Sequence, residues 1–278
     1  MASLREVKDR IGSVRSTLQV TSAMKLVSSA KLRKAQKVIE GMRPYADALS
    51  DILAAVGPLE QKAVSGDAPV AVVVISSNTS LCGAFNANAI RTALELKEKY
   101  GTPVYFPVGK KCAEAVRRAG FVPEADYSDL IAHTSYEKAS AFARALIERY
   151  EKGEFSKILL VYNRFISTSV QRPVVETYMP FSLQLSPDAG AGVQEDYIFE
   201  PDAHTIAAGL LPQMICLKFY AALLDSAAAE QAARTVAMQT ATDNGEHLLA
   251  DLTLEYNKGR QQKITSEILD LVGGASQE

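Results

Sequence analysis

The stretch LREVKDRIGSVRSTL, residues 4–18, carries apolar side chains at alternating spacings of three and four residues. They are Leu4, Val7, Ile11, Val14 and Leu18. This spacing places the side chains on one stripe of a helix, as in the seam of a coiled coil. The sequence therefore predicts a long helix over residues 3–57, and its apolar stripe needs a second helix to cover it.

Two features limit this prediction. Pro44 interrupts the helical pattern and should kink or restart the helix, and Gly57-Pro58 should end it. Past Leu18 the apolar positions drift, with Thr and Ser filling the gaps, so we do not expect a strict heptad seam along the whole helix. The positions in question are Met24, Val27, Ala35, Val38 and Met42.

The covering helix is predicted at the other end of the chain, from about His204 to Val272, with Pro212 near its start. At 1.5 Å per residue the two helices would be about 80 and 100 Å long, which is longer than a compact domain of this size is wide. Nine of the 21 residues from Ala221 to Ala241 are alanine, so the two backbones can approach closely. We therefore expect an antiparallel coiled coil of the N- and C-terminal helices.

The middle of the chain has a different pattern. PVAVVVIS, residues 69–76, is a continuous apolar run rich in β-branched residues, as expected of a buried parallel strand. Further strands are predicted at 102–109, 157–165 and 174–181, and helices at 86–101, 110–120 and 136–153. Strands that alternate with helices indicate a central Rossmann-like α/β domain with an at least partly parallel sheet. The predicted domains are residues 1–57, 68–195 and 204–278, separated by loops at 65–67 and 186–194.

Charge is distributed unevenly along the chain, although the net charge is only −2. Residues 1–50 hold 10 basic and 4 acidic side chains, whereas residues 201–278 hold 5 and 10. Opposite charges at the two ends suggest that the two helices lie together and partly neutralise each other.

Between Asp9 and Glu40 there are seven Lys or Arg and no acidic residue, and VTSAMKLVSSAKLRKAQ (20–36) lies inside this run. The run is consistent with a nucleic-acid arm, a membrane-surface helix or a docking face for an acidic protein. No aromatic residue lies between Leu4 and Arg43, which disfavours stacking on single strands. The apolar residues are mostly those of the seam, which disfavours the membrane interpretation.

Several classes of site are disfavoured. The three cysteines (Cys82, Cys112 and Cys216) form no CxxC pair, and the three histidines (His133, His204 and His247) form no HxxxH pair, so neither a disulfide framework nor a zinc site is expected. No signal-peptide pattern and no run of about 18 apolar residues is found. We expect no cofactor and no metal.

The loop SSNTSLCGAFN, residues 76–86, lies between a strand and a helix, where phosphate-binding loops occur. It contains one glycine and lacks both the GxGxxG pattern and the P-loop lysine, so a plain connection is the better interpretation. Cys82 in this loop has no evident histidine partner and is expected to be a buried structural thiol. Glu246, Asp251 and Glu255 are expected to form a solvated helix face.

The segment YNKGRQQKITSEILDLVGG, residues 256–274, combines polar side chains with apolar ones near the end of the last helix. The apolar residues are Ile264, Ile268, Leu271 and Val272. Packing on the protein's own helix explains about half of them, and the remainder imply a socket in a partner.

Several stretches, in order along the chain, are similar to the gamma subunit of F-type ATP synthases, in its bacterial form. They are VTSAMKLVSSAKLRKAQ (20–36), LCGAFN (81–86), VYNRFISTSVQRP (161–173), YIFEP (197–201) followed by LLP (210–212), AARTVAMQTATDNG (232–245) and YNKGRQQKITSEILDLVGGA (256–275).

The resemblance implies a central rotary shaft without catalytic residues of its own. It implies single-copy assembly with three alpha and three beta subunits, an epsilon subunit and a membrane c ring, and no binding of nucleic acid. The shaft would couple proton flow through the c ring to conformational change at the beta subunits. Such a protein would be peripheral, at the cytoplasmic face of the bacterial inner membrane.

The resemblance also implies roles for single residues. Arg260 and Gln261 would hydrogen-bond a beta-subunit loop, with Thr265 and Glu267 nearby. Met24 would face beta, while Val27 and Arg234 would pack between the two helices of the coiled coil. Tyr197 and Glu200 would face the c ring and epsilon.

The chain departs from the family pattern at two places. Gln19-Val20-Thr21 replaces the usual Lys-Ile-Thr, and Asn78-Thr79-Ser80 replaces the usual Asp-Arg-Gly, so no role is transferred to either stretch. Two other hypotheses stay open. A nucleic-acid-binding coiled coil rests on the basic run, and a small α/β nucleotide-binding enzyme would need a phosphate loop that the sequence does not display.

Overall fold

The computed structural model describes residues 3–56, 68–181 and 197–275. Helix α1 spans Leu4–Val56 and helix α6 spans Ala203–Ala275. The elements between them in the chain are β1 (Val70–Ile75), α2 (Phe85–Tyr100), β2 (Val104–Val108), α3 (Lys110–Arg118), α4 (Asp129–Ala132), α5 (Tyr136–Glu151), β3 (Lys157–Phe165) and β4 (Gln171–Met179). The predicted fold class, an α/β layer between two long helices, is confirmed.

Pro44 lies inside α1, and the helix continues past it to Val56, so the predicted restart at this proline is wrong. Beyond Pro44, Leu49 and Leu53 are buried against Leu217 of α6. This packing stabilises the helix on the far side of the proline, where the local sequence alone favours a break. The predicted stop at Gly57-Pro58 and the predicted loops at 65–67 and 186–194 lie outside the described residues.

The sheet has the strand order β2-β1-β3-β4. Strand β1 pairs in parallel with both β2 and β3, and β4 pairs with β3 as an antiparallel neighbour. Because β1 and β3 are buried along almost their full length, their sequences are continuous apolar runs rather than alternating ones. The predicted partly parallel sheet is confirmed.

Both faces of this sheet are covered. On one face Val72 and Val74 pack with Ala93 of α2 and Val116 of α3. On the other face a larger cluster joins the sheet to α5 and α6, and its aromatic members include Phe106, Phe142, Tyr178 and Phe219. Helix α6 is thus both the last helix of the chain and a layer of the α/β domain.

The chain divides into two compact units, Met1–Ser28 with Thr235–Glu278 and Ser29–Arg234. In the first unit α1 and α6 run antiparallel, because Leu4 lies nearest Gly259 while Leu18 lies nearest Gly245. In the second unit Leu32 of α1 is buried against Ala228 and Ala232 of α6. The predicted antiparallel pairing is therefore present in each unit, and small residues of α6 permit close approach in both. The domain bounds 1–57, 68–195 and 204–278 stay a prediction.

The seam of α1 is more regular than its sequence suggests. Side chains that are buried or half-buried recur with strictly alternating spacings of three and four along the whole helix. The positions are Leu4, Val7, Ile11, Val14, Leu18, Thr21, Lys25, Ser28, Leu32, Ala35, Ile39, Met42, Ala46, Leu49 and Leu53. The expected drift past Leu18 is wrong, because Thr21, Lys25 and Ser28 occupy the seam there instead of apolar residues.

The polar part of the seam is stabilised by a hydrogen bond between the helices. Thr242 of α6 lies 2.9 Å from Thr21 of α1, hydroxyl to hydroxyl, and both side chains are buried. Thr21 donates its own hydroxyl proton to the carbonyl of Leu18 at 3.1 Å, and the single hydroxyl proton of Thr242 is shared between Thr21 and the carbonyl of Met238, which is also 2.9 Å away. A buried polar pair at seam positions fixes which residues of two helices lie opposite each other.

One part of α6 is long and apolar enough to cross a membrane, judged by length and composition alone, although the sequence contains no unbroken apolar run of about 18 residues. This is weak support for a membrane span, because a helix packed in the core of a soluble protein has the same property.

Two glycines of the first unit provide a matched pair for testing the close approach of the helices. A Cβ at Gly12 would meet no atom within 4 Å, whereas a Cβ at Gly245 would lie 2.7 Å from Leu18 Cδ2. We expect Gly12→Ala to raise the free energy of unfolding by about 0.5–1 kcal/mol, through helix propensity alone. Gly245→Ala should raise the free energy of unfolding by less than Gly12→Ala does, or should lower it, because the Leu18 side chain must move to make room for the new methyl group.

The measurement is urea unfolding of the purified chain, followed by far-ultraviolet circular dichroism. Equal stabilisation by the two substitutions would show that Gly245 is not in close contact with α1.

Candidate functional site

The loop between β1 and α2, residues 76–84, lies where a doubly wound fold binds its ligand. The order of strands reverses at β1, so the crevice between the carboxyl ends of β1 and β3 is the expected position of such a ligand. In this structure the chain's own helix α6 lies there. Ala229 and Ala233 of α6 form a buried cluster with Cys82, Phe85 and Phe165.

A charged side chain of α6 is bonded to the same loop. The guanidinium of Arg234 donates from Nη2 to Thr79 Oγ1 at 2.9 Å and to the carbonyl oxygen of Ser80 at 3.4 Å. Its Nη1 lies 2.5 Å from Glu230 Oε1, one helical turn earlier. Arg234 and Glu230 are each only 7% exposed. The loop that could have received a phosphate thus accepts hydrogen bonds from an arginine of the same chain.

The N-terminus of α3, a second potential anion site, is also occupied by this loop. The backbone N–H of Lys110 donates to Asn78 Oδ1 at 3.0 Å, and that of Cys112 donates to Ser76 Oγ at 2.9 Å. The N–H of Lys111 donates to the carbonyl of Ser77 at 3.2 Å. These donors, which would otherwise attract an anion, already have partners.

The three cysteines are buried, as expected of structural thiols. Cys82 is 2% exposed and lies 3.2 Å from Asn86 Nδ2. Burial raises the pKa of the Cys112 thiol to about 12, against smaller opposing effects of its hydrogen bonds, and burial also raises the pKa of Cys216. None of these positions resembles an activated nucleophile, which needs a stabilised thiolate.

The remaining polar groups considered from the sequence lie at the surface. His133, His204 and His247 are exposed, and so are Glu246, Asp251 and Glu255. Within residues 3–56, 68–181 and 197–269, no group of three or more His, Cys, Asp or Glu side chains is arranged to hold a metal ion. Glu246, Asp251 and Glu255 thus lie at solvent-exposed positions of α6, as predicted.

The basic run of α1 is exposed and carries apolar residues between its cations. Val20, Leu26 and Val27 are 57, 69 and 54% exposed. No ion pair that the structure describes involves α1. Burial raises the pKa of Asp225 of α6, while the positive charge of Arg43 of α1 acts to lower it, so partial neutralisation between the two helices stays a prediction. The cations of the basic run, apart from the half-buried Lys25, are exposed to solvent or a partner.

The far part of α6 also presents an exposed surface. Arg260, Gln261, Thr265 and Glu267 are all exposed. Thr265 donates to the carbonyl of Gln261 at 2.9 Å, and Glu267 pairs with Lys263 at 3.7 Å.

Apolar residues of the same segment share this exposure, since Ile264 is 46% and Ile268 54% exposed. Leu269 is 64% exposed. The side chains of Leu271 and Val272 lie outside those that the structure describes. An exposed apolar group beside hydrogen-bonding side chains is typical of a protein interface.

Val27, assigned to packing between α1 and α6, lies off the seam and is exposed, while its neighbour Ser28 is 2% exposed and buried at a seam position. Arg234 is buried and bonds to the β1–α2 loop, and its packing between the two helices stays a prediction. Met24 is half-buried, next to the seam position of Lys25. Tyr197 and Glu200 are exposed just before α6 begins.

Sequence reasoning missed Glu230, Thr79 and Ser80 as partners of Arg234. The spacing of Glu230 and Arg234, four residues apart on a helix, was a visible signal for a pair. The contact with Thr79 spans 155 residues of sequence, and no local pattern could reveal it.

Comparisons with known proteins agree with the pattern of the sequence. A model of the family described as ATP synthase matches residues 3–277. The chain is 46% identical to the ATP synthase gamma chain of Bacteroides thetaiotaomicron, over 100% of both chains, and 40% identical to that of Anaeromyxobacter sp., over 99% of both.

Among solved structures, a rotor chain of the Euglena gracilis mitochondrial ATP synthase is similar in fold. Its TM-score is 0.66 at 19% identity, and the match covers 94% of this chain and 98% of that one. A chain from a second Euglena gracilis structure, of OSCP, F1 and c ring, has a TM-score of 0.67 and covers 98% of this chain and 93% of that chain.

Burial of the cysteines predicts their reactivity. We expect the native chain at pH 8 to react only slowly with a thiol reagent such as 5,5′-dithiobis(2-nitrobenzoate), because burial excludes the reagent and disfavours the thiolate of Cys112 and Cys216. The same chain in denaturant should react at all three cysteines at once. Rapid labelling of Cys82 in the native chain would contradict the buried position of this side chain.

Proposed function

The chain belongs to the ATP synthase family, and from that premise we propose that it is the gamma subunit acting as the central rotary shaft of an F-type ATP synthase. It couples proton flow through the membrane c ring to conformational change at catalytic sites on the beta subunits. The observation that carries this proposal is the match to bacterial gamma chains over all of both sequences.

The surface of α1 and α6 supports contact with a surrounding ring. The acid-free run of α1 has exposed cations that α6 leaves unpaired among the described side chains, and exposed apolar residues lie between them. A surface that combines exposed cations with exposed apolar side chains fits acidic, partly apolar segments of the beta subunits. Met24 lies in this part of α1 and is proposed to face beta. The acidic face of α6 has the opposite charge, so the shaft presents different surfaces to the three beta subunits.

The exposed end segment of α6 is proposed as a second contact with beta. Arg260 has five N–H donors directed to solvent, and Gln261 and Thr265 add polar groups beside it. A hydrogen bond from a charged donor stabilises a contact by about 1.5–3 kcal/mol. A bond of that size can hold one rotational position and still break in each turn. Glu267 lies near Arg260 on the same helix and is assigned to the same contact.

Contacts with the c ring and the epsilon subunit are assigned to the segment before α6. Tyr197 and Glu200 are exposed there, and Ile198 between them is 90% exposed. An apolar side chain this open to solvent supports a partner at this position. The complex would have three alpha and three beta subunits for each shaft, and this chain would be peripheral, at the cytoplasmic face of the bacterial inner membrane.

The chain is proposed to have no catalytic residues and to need no cofactor or metal. Support comes from the crevice between β1 and β3, where α6 and Arg234 take the place of a ligand. Fold alone would not justify this conclusion, because α/β folds of this type host many functions. The filled crevice also disfavours the hypothesis of a small nucleotide-binding enzyme.

The nucleic-acid hypothesis retains one favourable observation, the unpaired cations of α1. A duplex along this helix would also approach the exposed carboxylates of α6 in the same unit, at Glu246, Asp251 and Glu255. Their repulsion weakens a phosphate contact, so we favour the acidic protein partner. Steeply salt-dependent binding to DNA at physiological salt would reverse this choice.

Isolation and assembly test the proposed function. We expect an affinity tag on this chain to recover alpha, beta and epsilon subunits in a complex that hydrolyses ATP. The purified chain alone should show no hydrolysis. Steady hydrolysis by the isolated chain, or a tagged chain recovered without alpha and beta, would overturn the proposal.

The contact of Arg260 with beta is tested in membranes that contain the complex. If the Arg260 bond stabilises the coupling step by about 1.5 kcal/mol, its loss would slow that step roughly tenfold. Arg260→Ala should therefore lower the rate of ATP synthesis several-fold. Lys258→Ala removes a neighbouring exposed cation and serves as the control, with synthesis near that of the unmodified complex. Assembly is checked from the subunit content of the membranes. Equal synthesis in the two variants would remove Arg260 from the contact.

A further inference from the structure

The contact of α6 with the β1–α2 loop is more than the packing of small side chains. We propose that Arg234, Glu230, Thr79 and Ser80 form a polar latch that fixes the rotational setting of α6 on the α/β domain. This inference rests on the proposed rotary function, because it assigns to the latch the transmission of torque between that domain and the shaft.

The latch is directional. The Arg234 guanidinium bonds three oxygens, of the Glu230 carboxylate, the Thr79 hydroxyl and the Ser80 carbonyl. Glu230 precedes Arg234 by one turn on the same face of α6 and holds the planar guanidinium in position. Because a guanidinium donates along fixed directions, turning α6 about its axis would break the bonds to the loop.

The neighbouring apolar contacts cannot do the same. Ala229 and Ala233 meet Cys82 and Phe85 with single methyl groups, which pack without a preferred direction. A helix that presents alanines can turn by a small angle and lose few contacts. Larger side chains such as Phe219 hold an earlier part of α6 on the sheet, and at Ala229 and Ala233 the polar bonds of Arg234 add the directional constraint that the methyl groups lack.

The loop that receives Arg234 is itself connected to the rest of the domain. Asn86 of α2 donates to Ser77 Oγ at 2.8 Å, and Asn78 donates to the carbonyl of Ser128, before α4, at 2.9 Å. Asn78 also accepts from the N–H of Lys110 at the start of α3. Force applied to the domain thus reaches the latch through three helices rather than through one flexible loop.

Net stability does not explain the buried pair. A buried ion pair stabilises a fold little compared with apolar side chains of similar size, whereas loss of one partner leaves an uncompensated charge. A double variant, Arg234→Met with Glu230→Leu, should therefore keep the fold and lose the latch. A milder pair acts at the exposed Thr79, where Thr79→Val removes the acceptor and Thr79→Ser keeps it.

The test uses the assembled complex in sealed membrane vesicles. The readouts are the rate of ATP hydrolysis and the rate of ATP-driven acidification, which is measured by quenching of a pH-sensitive dye. The quantity compared between variants is the ratio of acidification to hydrolysis. We expect Thr79→Ser to keep the ratio of the unmodified complex and Thr79→Val to lower it by about twofold or more, through loss of a charge-assisted bond. The ratio of acidification to hydrolysis should be lower still in the double variant, which should retain ATP hydrolysis.

Two results overturn the latch. One is an unchanged ratio in the double variant with normal assembly, and the other is equal ratios in Thr79→Val and Thr79→Ser. If the double variant does not assemble, the two Thr79 variants decide the question. An unmodified complex that hydrolyses ATP without acidification, or that lacks this chain, would instead contradict the proposed function.

Discussion

The seam between α1 and α6 is the constraint on which the rest of the molecule depends. An amphipathic helix of this length is stable only when its stripe is covered, and the seam positions of α1 repeat from Leu4 to Leu53 without a break. Small residues of α6, such as Gly245 and Ala228, let the two backbones approach. The same helix α6 also covers one face of the sheet, so its sequence satisfies two packing surfaces. This double requirement explains why alanine and glycine recur in it.

The sequence predicted the elements better than their contacts. Continuous β-branched runs identified β1 and β3, because a strand buried on both faces needs them. The apolar seam of α1 was recognised only to Leu18, since Thr21, Lys25 and Ser28 continue it with polar side chains. Thr21 lies opposite a polar residue of α6, Thr242, and that pairing is a property of the tertiary structure. Continuation of α1 past Pro44 likewise depends on distant packing.

The sequence predicted some exposed residues of the candidate site, but it did not predict the contacts between distant residues. The exposed Ile264 was predictable because its apolar side chain lies in a polar segment near the end of α6, whereas Arg260 was named through the resemblance to the gamma subunit. The partner of Arg234 was not identified, because Thr79 is far away in sequence. Charge counts correctly indicated helices of opposite sign, but they could not show that no ion pair among the described side chains joins the cations of α1 to α6. Most of these cations lie between seam positions and are exposed, whereas Lys25 lies on the seam and is half-buried.

The crevice of the α/β domain shows how one fold serves a mechanical role. Doubly wound sheets leave a crevice where the strand order reverses, and ligand-binding members of this architecture use it for a ligand. Here Arg234 and two alanines of α6 occupy that space, and the loop groups that would bind a phosphate bond to the chain itself. A bound ligand exchanges with solvent, whereas a covalently continuous helix does not. Filling the crevice with α6 therefore turns a binding site into a permanent attachment, which is what a shaft that transmits force requires.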